Sequence, residues 1–260
     1  MSTRPAAVAG SFYSDNPNDL ARNVDGMLFE VGKTQRDRSP KALISPHAGF
    51  IYSGPTAACG YALLNGEKIN RVVLMGPTHR VLLSGLALPE ADAFETPLGS
   101  IELDRDSMNK ALGLTQVSIE ASSHAFEHSL EVQLPFLQRK LNQFTLIPFA
   151  VGQARPEIVA EVLDLLWGGE ETLIVISSDL SHYHPYEIAK KIDAETADNI
   201  MQMQPTISHE QACGAAPING LLACRENHPL TPEIVDLRNS GDTAGPRNQV
   251  VGYGAFAFYE

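Results

Sequence analysis

Three short apolar runs organise the chain. Ala42-Leu43-Ile44-Ser45 leads into Pro46-His47-Ala48-Gly49, Arg71-Val72-Val73-Leu74-Met75 into Gly76-Pro77-Thr78-His79, and Thr172-Leu173-Ile174-Val175-Ile176 into Ser177-Ser178-Asp179-Leu180-Ser181-His182. None shows the alternation of a half-solvated strand, and none is long enough for a buried helix. The pattern predicts strands covered on both faces. Ligands collect beyond the carboxyl ends of strands in open α/β sheets, so these three polar ends are expected to converge on one site.

Between the runs the apolar spacing becomes helical. Pro17 to Phe29 reads as a helix with Leu20, Val24, Met27 and Leu28 inward, started by Asp15 or Asn16, and the polar stretch 32–40 ends it. An alanine-rich helix is expected from Pro55 to Leu64 and a weaker one over 105–112. Leu130, Leu134, Leu137 and Leu141 mark another, with a kink or break at Pro135. Ile158 to Leu166, residues 186–203 and a segment opened by Cys213-Gly214-Ala215-Ala216-Pro217 complete the helices. Further strands are expected at 85–88 and 144–151. A turn between short strands falls at 94–99, and 234–239 and 250–259 form a hairpin-like closing pair. Alternating strands and helices imply an α/β fold, a three-layer αβα sandwich with a mixed central sheet. With no repeat and no dividing linker, residues 1–260 are expected to form a single domain.

Composition narrows the partners. Lys plus Arg number 19 against 31 Asp plus Glu, a formal charge of -12, with no basic block set among aromatics, which argues against nucleic acid. No apolar run approaches the roughly 20 residues of a membrane span, and the opening apolar stretch is shorter than a signal core. A cytoplasmic protein is expected. Cys59, Cys213 and Cys224 form no C-x-x-C pair, which suits reduced cysteines packed as small apolar residues.

Two histidines from different strand ends plus one carboxylate is the minimum set for a metal with open positions, as in non-haem ferrous oxygenases. His47 and His79 are the pair. For the carboxylate there are two candidates, Asp179 at a strand end and Asp242 in the loop Ser240-Gly241-Asp242-Thr243-Ala244-Gly245. The flanking glycines favour Asp242, although aspartates at such places also serve as turn and helix caps. His184, His209 and His228 are expected to be solvated.

The segments Pro46 to Gly54, Gly76 to His79, Glu127-His128-Ser129-Leu130-Glu131-Val132-Gln133-Leu134-Pro135, Ser177 to His182 and Cys213-Gly214, with the opening Arg4 to Tyr13, together resemble the Memo family (mediator of cell motility, or AmmeMemoRadiSam system protein B). That family is similar to the LigB-like class III extradiol dioxygenases. The resemblance implies a LigB/phosphorylase-like α/β fold and a site holding ferrous iron. It places metal ligands at His47 and His79, with Asp242 where animal members carry a cysteine. It places a catalytic acid/base at His182, a second pocket histidine at His128, and Asp179 supporting the site from nearby. The implied function is an iron-dependent oxidoreductase or dioxygenase acting on a small phenolic substrate. Zinc or copper also suits such ligands. The alternatives are a non-catalytic iron or copper protein working with AMMECR1-like and radical-SAM partners, and a protein-interaction module.

Overall fold

The computed structural model describes residues 2–32 and 39–260, so most of the polar stretch expected after the first helix lies outside the described residues. From the amino end, β1 (Thr3–Arg4) is followed by α1 (Pro17–Val31), whose N-cap Asn16 accepts hydrogen bonds from the N–H groups of Asn18 and Asp19. Next come β2 (Ala42–Ser45), α2 (Phe50–Ala62), β3 (Arg71–Pro77), β4 (Leu86–Leu88), β5 (Ala93–Thr96) and β6 (Gly99–Glu102). Then follow α3 (Arg105–Ala111), β7 (Val117–Ile119), α4 (Ser122–Ala125), α5 (Leu134–Lys140), β8 (Thr145–Val151) and α6 (Pro156–Leu166). The chain ends with β9 (Thr172–Ser177), β10 (His182–His184), α7 (Tyr186–Met201), α8 (Ala215–Ala223), β11 (Thr231–Asn239) and β12 (Val250–Tyr259).

Among the described residues, nine strands form the main sheet in the order β10-β12-β2-β9-β3-β8-β4-β7, with β11 also paired to β12. The centre, β2-β9-β3-β8, is parallel, while β12 runs antiparallel to β2 and β4 antiparallel to β8. Every residue of β2 and β9 is buried, and β3 and β8 are buried from their second residue onward. That explains their unalternating apolar runs: helices cover both faces. Helices α1, α2 and α5 pack on one another, and α2 lies on β2, β11 and β12. Helices α6 and α8 pack together, with α8 against β3 and β9. Each fully buried Leu, Ile or Phe in these layers contributes about 1.5–3 kcal/mol. The expected α/β sandwich with a mixed sheet and an antiparallel closing pair is the observed one.

Two local readings change, and the break expected at Pro135 is found. Helix α2 starts at Phe50, five residues before Pro55, with Gly49 as N-cap. Packing of the Phe50 ring on Tyr13 and Phe136 outweighs the hydrogen bond that Pro55 cannot donate. The leucine-rich helix breaks ahead of Pro135: a 3-10 turn over Glu131–Gln133 gives way to α5, where Pro135 falls in the first turn and needs no N–H partner. Finally, β5 and β6 pair with β1 in a separate three-stranded sheet. No helix of the described residues is long and apolar enough to cross a membrane.

Candidate metal centre

Adjacent parallel strands place the first side chains. In the order β2-β9-β3, the chain leaves β2 toward His47, β9 toward Asp179 and β3 toward His79, all at the carboxyl edge of the sheet. His128 arrives from the loop before the 3-10 turn. The ligand atoms of His47, His79 and His128 all lie within 4.8 Å of one another. Their ring centroids are 5.2 Å (His47 to His79), 5.4 Å (His47 to His128) and 4.5 Å (His79 to His128) apart.

The hydrogen bonds around these rings fix their tautomers. The Ser177 hydroxyl donates its one proton to the Ser129 carbonyl at 2.5 Å, so at 2.9 Å from His47 it accepts from Nδ1–H. Nε2 of His47 therefore carries the lone pair, and it faces the Cys213 thiol. Glu127 does the same for His79: its Oε1 accepts Nδ1–H at 2.9 Å, and its Oε2 accepts the His79 backbone N–H at 2.6 Å. The backbone N–H groups of His128 and Ser129 also donate to Oε1. Burial works to raise the Glu127 carboxyl, but the His79 hydrogen bond and the other donors outweigh it and hold the group at about 2. Imidazoles oriented by a hydroxyl or a carboxylate on one nitrogen, leaving the other free, are the arrangement metal-binding histidines show.

Burial favours the neutral form of two of the rings, His47 and His128. Burial, then the neighbouring His79, pushes His128 down to about 4, and burial holds His47 well below the usual imidazole range. Asp179 is buried and pushed up to about 7. Its Oδ1 accepts the His47 backbone N–H at 2.7 Å, which fixes the turn that presents the ring.

Cys213 stands opposite His47, with Sγ 3.3 Å from Nε2. Its place depends on the glycine that follows. A Cβ on Gly214 would come within 2.6 Å of the Ser178 Cβ and 2.8 Å of the Ser177 carbonyl oxygen, so only glycine lets this segment lie against the end of β9. There Gly214 donates its N–H to the Ser178 hydroxyl at 2.9 Å. Burial, then the charge of Asp179, pushes the thiol up to about 12.

A cavity of about 870 Å³ opens over the group, walled by the three histidines, Asp179, His182 and Cys213, with Phe12, Tyr52 and Tyr253 among its aromatic residues. The Phe12 ring centroid lies 4.8 Å from that of His128. No lysine or arginine is among the described residues that line it. His182 stands on β10 beside Tyr183, whose φ of 61° occurs at a register shift of the pairing with β12. Burial lowers the His182 imidazole.

Of the candidate residues, His47, His79 and His128 come together, and Asp179 and His182 line the same cavity. Asp242 does not. It is exposed and caps the 3-10 turn Ser240–Asp242, where its Oδ2 accepts the Asn239 N–H at 3.0 Å and its Oδ1 accepts the Tyr186 hydroxyl at 2.5 Å. The carboxylate is thus used in the loop, and the cysteine that faces the histidines is Cys213. Of the histidines expected in solvent, His184 and His209 border the cavity. His228 stacks on Trp167 at 3.7 Å between centroids and reaches Asp164 at 3.2 Å. Cys59 is half-buried and Cys224 buried, and both are free thiols.

Glu127 and Ser177 are the functional residues that spacing alone passes over. Glu127 carried one signal, its place directly before His128. Ser177 carried none, because its role comes from β9 lying next to β2.

The family model described as Memo-like protein matches residues 4–257. Among curated relatives, a MEMO1 family protein of Methanosarcina barkeri is 36% identical, covering 97% of this chain and 98% of its own. One from Aquifex aeolicus is also 36% identical over 97% and 98%, and one from Saccharolobus solfataricus is 34% identical over 98% and 99%. Among solved structures, an uncharacterized Escherichia coli K12 protein shares the fold at a TM-score of 0.53 and 13% identity, over 85% of this chain and all of that one. With the family model spanning nearly every residue and relatives of this closeness matching end to end, the chain belongs to the Memo family.

Proposed function

We propose that the histidine cluster is a mononuclear transition-metal centre that binds and oxidises a small phenolic substrate. The observation that carries this is the orientation of His47 and His79: each gives its Nδ1 proton to a fixed acceptor, which leaves Nε2 as the nitrogen offered to a metal. His128 and Cys213 are the groups placed to complete the set. Three imidazoles with a thiol, backed by Glu127 and Asp179, suit ferrous iron, and zinc or copper by the same donors. When bound, ferrous iron would supply the activation of dioxygen for attack on an electron-rich ring.

The chain's own residues account for the rest. Phe12 and Tyr52 on the wall suit a planar ring, and with no lysine or arginine among the described residues that line the cavity, phosphorylated or strongly anionic substrates are disfavoured. His182, on the wall of the same cavity and lowered by burial, takes the phenolic proton and returns it to the product.

Cys213 favours a second reading. A thiol made anionic by metal is a soft ligand, which suits copper or zinc held for redox handling or delivery, in concert with AMMECR1-like or radical-SAM partners. Two measurements separate the readings. Metal content of protein purified anaerobically without a tag, for wild type and His79→Ala, tests the centre itself. Oxygen uptake with catechol then tests catalysis. Stoichiometric iron lost in the variant, with uptake, supports the oxidase. Tight copper(I) without uptake supports the second reading. Failure to take up iron, zinc or copper removes both.

A further inference from the structure

We infer that a second, mainly apolar chamber beside the histidine pocket binds an apolar substituent of the molecule whose polar end the histidines hold. This rests on the histidine pocket being a ligand site. The chamber has a volume of about 580 Å³ and shares two wall residues, Cys213 and His209, with that pocket. It is lined by Pro77, the last residue of β3, by Thr78 directly before His79, and by Ala216 and Pro217 at the start of α8.

The lining explains what would fit. No Asp, Glu, Lys or Arg is among the described residues that line it. The side chain of Asn219 is already used: its Oδ1 accepts the Ile207 N–H and its Nδ2 donates to the Ile207 carbonyl. The lining includes the apolar triplet Val81-Leu82-Leu83, with Leu82 fully exposed. The polar side chains left on the lining, Thr78, Gln153 and His209, are a minority, and a charged group entering here would lose water without gaining a counter-charge, whereas an alkyl chain would bury Leu82 along with itself. Polar donors cluster on one side of Cys213 and apolar walls on the other. A ligand spanning both is amphiphilic, with a phenolic head and an aliphatic tail.

The test titrates catechol and its methyl, butyl and octyl derivatives, alkylated para to one hydroxyl, into zinc-loaded and metal-free protein by calorimetry. Burial of methylenes predicts affinity rising about fourfold for each of the first few carbons in wild type. Leu82→Glu, at a fully exposed position that cannot compromise the core, and Ala216→Phe, which fills the chamber, are expected to flatten that series while leaving catechol itself unaffected. A flat series in wild type, binding by no member, or a slope retained in both variants overturns the inference. So does self-association that Leu82→Glu abolishes while the series is flat, since the face would then join copies of the chain. Failure of the metal-centre reading shows separately, as head-group affinity unchanged by zinc or by His79→Ala with the chain-length slope intact.

Discussion

Glu127 holds His79 at two points, accepting its Nδ1–H at 2.9 Å and its backbone N–H at 2.6 Å. Both bonds need an acceptor, and an amide offers only one oxygen. Glu127→Gln therefore turns an NH2 group toward one of the two donors and loosens the hold on His79. Metal affinity is expected to fall about 10–100-fold, the usual effect of losing a group that orients a metal-binding histidine. Competition with a chromophoric chelator measures this for zinc. Unchanged affinity would mean that His79 does not depend on Glu127 for its orientation.

The Cys213 thiol, 3.3 Å from Nε2 of His47, and Asp242, tied to Asn239 and Tyr186, make opposite predictions. Cys213→Ser is expected to weaken copper(I) and zinc by at least about tenfold and iron less, because the soft donor is lost. Asp242→Ala is expected to leave all three metals unchanged and to loosen only the 239–242 turn. Loss of metal in Asp242→Ala with retention in Cys213→Ser would reverse this assignment.

The contrast shows what was legible in the sequence. His47 and His79 could be read because a strand end is a local feature: an apolar run, a proline, a histidine. The central sheet was legible for the same reason, its strands being short buried blocks. Asp242 misled because a glycine-flanked aspartate looks alike whether it binds a metal or caps a turn, and only the position of Tyr186 decides. Ser177 and Cys213 act through strand order and through the close approach at Gly214, which no spacing in the chain encodes. In the small sheet the turn between β5 and β6 was legible, but the pairing with β1 was not, because β1 is two residues long and its partner lies about 90 residues away.

Glu131, wholly buried, gathers four donors: the Arg4 guanidinium, the N–H groups of Ala7 and Val8 at 2.8 and 3.0 Å, and the Tyr13 hydroxyl at 2.5 Å. Arg4 also donates to the carbonyls of His124 and Glu127, so the pair binds the amino-terminal loop to the segment carrying His128. Glu131→Ala leaves a buried guanidinium without its counter-charge, a change that costs about 3–5 kcal/mol. Urea unfolding should show that loss. Because Phe12 sits on the same loop against His128, catechol affinity should fall as well, even where the variant remains folded. A loss below about 1 kcal/mol would mean that Arg4 finds water or another partner.

His124 provides a pH test away from the metal centre. It is 2% exposed, its Nε2 bonds to the Ala87 carbonyl at 2.9 Å, and its Nδ1 has no partner. Burial, opposed by the bond to Ala87, pushes the imidazole down from 6.5 to about 4. Between those two values the unfolded chain binds a proton that the folded chain refuses. The contribution of His124 is thus fully present above pH 6.5 and is lost as pH falls toward 4, by about 3 kcal/mol over the window. His47 and His128 act in the same direction, and buried Asp193, raised to about 6, in the other, so the total slope does not isolate one residue. The difference between wild type and His124→Gln does, since the amide keeps a donor for Ala87 and cannot titrate. Urea denaturation of both proteins at pH 7 and near pH 4.5 should show the wild-type advantage shrinking by about 2–3 kcal/mol. A gap that stays constant with pH would show that His124 accepts its proton without unfolding, through an opening of the β4 and α4 region that admits water to Nδ1.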